Sequence, residues 1–237
     1  VRKYNNLYYG ASINPYRTDA INRLNTAAEE GAVLVKWLPS IQHIDPADER
    51  LKLFYMRMKE LGMPLLTHTG DEHSFTRARN ELSDPQRLKL PLSLGVTVIA
   101  AHMATTGNNG GEENIDRLLP MFDAYLNLYA DISSLTQVNK LRYLKKILRH
   151  KEVHGRLLYG TDMPLPQTGI TSPVFHLFRL SPRTLISLLL TDNPWDRDVK
   201  LKQSIGFPEE IFTNAASVLR MKDRNPIIIE SRRGKRG

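Results

Sequence analysis

Three apolar runs in this 237-residue chain each stop abruptly on a histidine or an aspartate. Residues 63–72 read M-P-L-L-T-H-T-G-D-E and reach His68, V-T-V-I-A-A-H reaches His102, and R-L-L-Y-G-T-D reaches Asp162. A loop with Gly, Thr or Pro follows each one. Near-continuous apolar runs of this kind fit parallel strands buried on both faces. In a β/α barrel the reactive groups sit at the C-terminal ends of such strands, so endings far apart in sequence can converge on one rim. All three endings are metal-ligand types.

Between these runs the sequence alternates strand and helix. Residues 7–13, A-V-L-V-K-W-L-P and L-N-L-Y-A-D-I-S add three strand-like stretches, the last ending near Asp131. Helical spacing is carried by Ile21, Leu24 and Ala28, by Leu51, Phe54, Tyr55, Met58 and Leu61, by Ile115, Leu118, Leu119 and Phe122, and by Leu141, Leu144, Ile147 and Leu148. A helix from about Pro85, bent at Pro91, precedes the His102 strand. Ser181-Pro182 starts a helix through Leu185, Leu188 and Leu189, and Pro208 opens a last one. Residues 107–111 read as a flexible loop, too poor in spacing for a nucleotide fingerprint.

Six βα units in one series predict an α/β fold, a TIM (β/α)8-type barrel whose first one or two units are missing at the front. The expectation is one barrel domain over residues 1–230, N-terminally incomplete because Val1 already lies inside what reads as about the third strand. A basic disordered tail over 231–237 follows. A barrel lacking strands exposes edges, which makes compensation by a partner chain, such as a homo-oligomer, an expectation.

With no cysteine, a metal has to be held by histidine, carboxylate or an unusual nitrogen ligand. The net charge of +8 is concentrated in part at Arg232, Arg233, Lys235 and Arg236, and the basic residues over 140–149 read as a solvated helix face. No zinc-finger spacing or aromatic-basic platform supports a nucleic-acid partner, although the charge favours an anionic substrate. No apolar run approaches the ~20 residues of a membrane span, and no signal-peptide core follows Val1. A cytoplasmic protein is the expectation.

The ordered set H-T-G, A-H-M-A and Y-G-T-D-M-P resembles the amidohydrolase superfamily, in particular the branch of aminocarboxymuconate-semialdehyde-decarboxylase-like and related metal-dependent hydrolases. The likeness runs from about Leu7 to about Leu219, supported by A-S-I-N-P-Y-R, N-L-Y-A-D-I-S and I-F-T-N-A-A-S-V-L. The resemblance implies His68 and His102 as ligands of a divalent metal, zinc first with Mn2+, Fe2+ or Co2+ as alternatives. It implies Asp162 as a metal contact and as the catalytic base. The implied activity is hydrolysis of a C–N, C–O or lactone-type bond in a small molecule. Non-oxidative decarboxylation is the alternative within the same branch.

The family's first-strand H-x-H pair is absent from the seven histidines, so a catalytically inactive barrel that binds a ligand or partner is a further reading. Lys36, inside an apolar strand, has to snorkel, pair or react. It is open between binding a substrate carboxylate, carbamylation to bridge two metals as in some superfamily members, and an ion pair in the barrel mouth. Glu72 and His73 are candidates to line the substrate pocket, and Arg17 to contact an anionic substrate. Asp131 reads as support or a loop cap. His43, His150, His154 and His176 read as structural or solvent-facing.

Overall fold

The computed structural model describes residues 7–72 and 77–221. Its strands are β1 (Gly10–Ala11), β2 (Leu34–Trp37), β3 (Leu65–His68), β4 (Val98–Ala101), β5 (Asn108–Asn109), β6 (Glu112–Glu113), β7 (Leu128–Asp131) and β8 (Leu157–Leu158). Six of them form one parallel sheet in the order β1-β2-β3-β4-β7-β8, so each new strand is laid beside the previous one. Parallel neighbours need a crossover, and helices Ala20–Glu29, Lys52–Glu60, Lys89–Ser93, Asn114–Leu118 with Met121–Ala124, and Leu141–Ile147 supply it. All six sheet strands coincide with the six runs read from the sequence. The fold is α/β with the sequential parallel order of a TIM-type barrel; among the described residues the sheet stays open between β1 and β8.

Register separates the two faces of the sheet. Trp37, Thr67, Ala100, Ala130 and Leu157 lie in one row, all fully buried. Trp37 packs there against Phe54 and Tyr55 of helix Lys52–Glu60, with ring centroids 5.9 Å apart in both pairs. Its indole N–H donates to the Ile13 carbonyl at 2.7 Å, so this large ring is buried with its one polar atom satisfied. Because side chains alternate along a strand, the opposite face carries the row Lys36, Leu66, Ile99 and Tyr129. Toward the C-terminal ends of the strands it also carries His68, Ala101, Asp131 and Leu158. This inner face leads to the site.

The helices depart from expectation at prolines. The segment from Pro85 starts as a 3-10 turn, Pro85–Leu88, before Lys89–Ser93, and Pro120 separates Asn114–Leu118 from Met121–Ala124. The last helix breaks into the turn Glu209–Phe212 and Ala215–Val218. Residues 107–111, read as a loop, hold part of the β5-β6 hairpin. Helix Pro194–Ser204 was not legible from apolar spacing, although Asn193 caps it by accepting from the Trp195 and Asp196 N–H groups and Pro194 starts it. Ser181 caps Pro182–Leu189 as expected. No helix among the described residues is long and apolar enough to cross a membrane. The basic tail and His73 lie outside the described residues.

Candidate active site

His68 is the last residue of β3 and is only 7% exposed. Among the described residues its Nε2 is buried without a hydrogen-bond partner, and Glu72 Oε2 stands 3.9 Å away. The loop that leaves His68 is held against the loop that leaves β4. Thr69 Oγ1 donates to the Ala101 carbonyl at 2.7 Å. Gly70, at φ +89°, lies so close to Thr106 that a Cβ would stand 2.8 Å from the Thr106 carbonyl oxygen. Glycine is required there on both counts.

His102 follows β4 directly. It opens a run of three non-glycine residues in the left-handed region, His102, Met103 and Ala104 at φ 59°, 52° and 51°. Such conformations are sparse for non-glycine residues and are kept only where surrounding structure holds them. Here the turn carries the His102 ring to 5.2 Å from the His68 ring, centroid to centroid, at an interplanar angle of 63°.

Asp131, at the end of β7, organises the far side of His102. Its Oδ1 accepts the His102 backbone N–H and the Ser133 backbone N–H, both at 3.0 Å, and the Ser133 hydroxyl. Ser133 Oγ lies 2.7 Å from His102 Nδ1, and Ser134 Oγ lies 3.3 Å from the same nitrogen. Lys140 Nζ donates to Ser134 Oγ at 2.7 Å. Lys140 is therefore not part of a solvated helix face: it is 8% exposed, in the turn Val138–Lys140 that points back at the strand ends. Ser133, Ser134 and Lys140 escaped the sequence reading. The only signal was the pair of serines directly after the D-I of a strand end.

Asp162 lies four residues beyond β8 at φ 54°, with Oδ2 3.9 Å from His102 Nδ1. Its approach depends on Gly160, where a Cβ would sit 3.2 Å from Ser133 Cβ. Lys36 is on the inner face of β2, one residue pair short of His68 along the neighbouring strand. Thus His68, His102, Asp162, Lys36 and Glu72 are brought together, and Arg17 is not. Its half-exposed guanidinium is held by Asp19, with Nε donating at 2.7 Å, outside this cluster. The remaining described histidines stand elsewhere. His43 is exposed, His150 is half-buried with Nδ1 2.6 Å from Glu152 Oε1, His154 faces the Ile147 carbonyl at 3.0 Å, and His176 faces the Thr136 carbonyl at 3.1 Å.

Burial dominates the electrostatics. It pushes His68 down to about 4, reinforced by Lys36, and His102 down to about 3, so both imidazoles are neutral at physiological pH. Burial also pushes Lys36 down, opposed by Asp131, Asp162 and Glu72. Asp162 is raised by its own burial and then by Asp131. Burial alone would raise Asp131, but His102, the Ser133 donors and Lys36 hold its carboxyl below the usual range.

Lys140 is pushed down to about 8 by burial. Between that value and the ~10.4 of an unfolded lysine, the unfolded chain holds a proton that the folded one has lost, so Lys140 adds stability as pH rises through this window. Lys140→Met is expected to be more stable than wild type at pH 7, with the advantage shrinking by on the order of 2–3 kcal/mol from pH 8 to 10.5. Urea unfolding of both proteins at pH 7, 9 and 10 checks this, and a pH-independent difference would count against it.

The donor chemistry fits a divalent cation in part. Neutral imidazoles are the ligating form, and His68 offers a buried nitrogen that nothing in the described chain satisfies. Two nitrogens at ~2.1 Å from one zinc ion are compatible with neighbouring rings of this kind. Among the described residues, however, no group of three His, Asp or Glu side chains is placed to hold a metal ion. The fit is that of two imidazoles with carboxylates close by.

Solved structures show the same architecture. A structure of a probable 2-pyrone-4,6-dicarboxylic acid hydrolase from Acinetobacter baumannii, with citric acid bound, matches with a TM-score of 0.57 at 15% identity over 90% of this chain and 73% of its own. A putative 2-pyrone-4,6-dicarboxylic acid hydrolase from Pseudomonas putida matches at 0.55 with 13% identity over 91% and 71%. An uncharacterized TIM-barrel protein from Bordetella bronchiseptica matches at 0.54 with 16% identity over 84% and 67%. At these identities the likeness establishes the fold, and a comparison with curated proteins found no match. The family described as Amidohydrolase matches residues 6–196, a span that holds every residue of the cluster from Lys36 to Asp162. The chain belongs to the amidohydrolase family.

Proposed function

We propose that this chain is a metal-dependent hydrolase of small, anionic molecules, cutting a C–N, C–O or lactone-type bond. The observation that carries this reading is the buried Nε2 of His68, unpartnered among the described residues, beside the neutral ring of His102, with Asp162 at the same rim. His68 and His102 would hold the ion, zinc first, with Mn2+, Fe2+ or Co2+ as alternatives, and Asp162, which stands at the rim without completing a three-residue set in this structure, would have to close in to touch it. When bound, a divalent ion supplies an acidified water and polarises a carbonyl. Asp162 Oδ2 takes up the proton released at the rim, a role favoured by a carboxyl raised above its ordinary value. Glu72 lines the pocket beside His68. The Lys36 ammonium orients an anionic group of the substrate, and Arg17 would assist only by reaching in from outside the cluster. The two hydrolase neighbours support the reaction class, and the citric acid carried by one of them supports a small carboxylate as ligand.

Decarboxylation is the second reading, favoured by Lys36: a largely buried lysine with no carboxylate within ion-pair distance among the described residues is suited to a substrate carboxylate. The zinc-loaded chain, screened against small lactones, cyclic amides and aromatic or unsaturated carboxylic acids, separates the readings. Acid release in a pH-stat without carbon dioxide supports the hydrolase, and carbon dioxide evolution supports the decarboxylase. Ligand binding without turnover of any member would leave the inactive barrel as the better account.

A further inference from the structure

The residues around His102 allow its protons to be counted. Asp131 Oδ1 accepts two backbone N–H groups at 3.0 Å and the Ser133 hydroxyl. An oxygen taking two backbone donors is an acceptor, and a serine hydroxyl brings a single hydrogen. The hydrogen between Ser133 Oγ and Asp131 therefore belongs to Ser133 and is committed to the carboxylate. Ser133 Oγ then has only lone pairs to present to His102 Nδ1 at 2.7 Å, and the hydrogen of that contact has to come from the ring. Ser134 Oγ stands farther off, at 3.3 Å, and already receives the Lys140 ammonium at 2.7 Å.

We propose that Ser133 is a positioning residue that passes the charge of Asp131 to His102, fixing the imidazole with its hydrogen on Nδ1 and its lone pair on Nε2. The arrangement places a hydroxyl between carboxylate and ring, and the carboxylate itself, 3.9 Å from Nδ1, is out of hydrogen-bond range. The sequence supplies it in four consecutive residues, Asp131 to Ser134, the strand end turning at Ser134 with φ 57° so that both hydroxyls face the same nitrogen. A histidine held in this way has Nε2 free to act as a ligand or a base, and the hydrogen bond at Nδ1 makes Nε2 more basic. The use of that lone pair for a metal rests on the function proposed above, whereas the tautomer does not.

The test is a long-range 1H–15N correlation spectrum of the metal-stripped full chain labelled with 15N-histidine, recorded near neutral pH. His102 is assigned by the signals lost in His102→Gln. Wild type is expected to show the Nδ1–H form alone, Ser133→Ala a mixture of tautomers, and Ser133→Thr, which keeps the hydroxyl, the wild-type form. An Nε2–H ring in wild type, or an unchanged tautomer in Ser133→Ala, would overturn the proposal, and the wild-type spectrum decides even if the alanine variant does not fold. Zinc titration gives the second readout: Ser133→Ala is expected to bind about 10- to 100-fold more weakly, with Ser133→Thr near wild type. If no variant binds zinc while the Nδ1–H form is observed, the metal reading fails and the tautomer assignment stands.

Discussion

Asp162→Asn is expected to lower turnover by about 10²- to 10⁴-fold, the range for losing a general base, with the fold intact. Asparagine keeps the shape of the side chain and is one of the few residues that tolerates the left-handed backbone Asp162 adopts at φ 54°. What it removes is the carboxylate 3.9 Å from His102 Nδ1. That carboxyl is raised by its own burial and by Asp131, which makes it a better proton acceptor than an ordinary surface aspartate. The check is kcat on the best substrate from the screen, alongside circular dichroism and the unfolding midpoint. Turnover within threefold of wild type would remove Asp162 from the chemistry and leave it as a loop cap before Pro164.

Asp198→Leu is expected to destabilise the chain by about 3–5 kcal/mol, because it leaves a buried ammonium without its counter-charge. Lys202 is 0% exposed, and its Nζ donates to Asp198 Oδ2 at 2.7 Å and to the Gly160 carbonyl at 3.3 Å. Tyr159 donates to the same carboxylate oxygen at 3.0 Å, and Thr136 to the other at 3.3 Å. This cluster ties helix Pro194–Ser204 to the strand that leads into Asp162, two residues past Gly160. Replacing both charges, as in Asp198→Leu with Lys202→Met, is expected to recover most of the loss, since apolar side chains of similar size pack without desolvating an ion. Urea unfolding of wild type, the single and the double variants measures this. A single variant within 1 kcal/mol of wild type would mean that the ammonium finds other partners.

The strand ends were the legible part of the sequence. A strand buried on both faces has to be apolar until it stops, so the change from L-L-T to His68, or from I-A-A to His102, marks both the element and its rim. The site's interior was less legible for a physical reason. Lys140 is drawn from a stretch whose neighbours Lys145 and Arg149 are ordinary basic residues, and composition gives no sign that its ammonium turns inward to Ser134. Ser133 is likewise a common loop residue until the register of β7 places it under His102. Helix Pro194–Ser204 was missed because its buried members include Asp198 and Lys202, so the ion pair replaces the apolar stripe by which a helix is recognised. Arg17 was a candidate by residue type alone, and Asp19 two residues later is close enough to claim it.

Metal content per chain tests the central claim most directly. The protein would be stripped with chelator, reloaded with zinc, freed of excess ion and assayed by elemental analysis together with His68→Ala and His102→Ala. The account predicts stoichiometric zinc in wild type, lost in both variants while circular dichroism stays unchanged. A folded wild type that retains no zinc, manganese, iron or cobalt, or variants that retain as much as wild type, would contradict a metal centre built on His68 and His102.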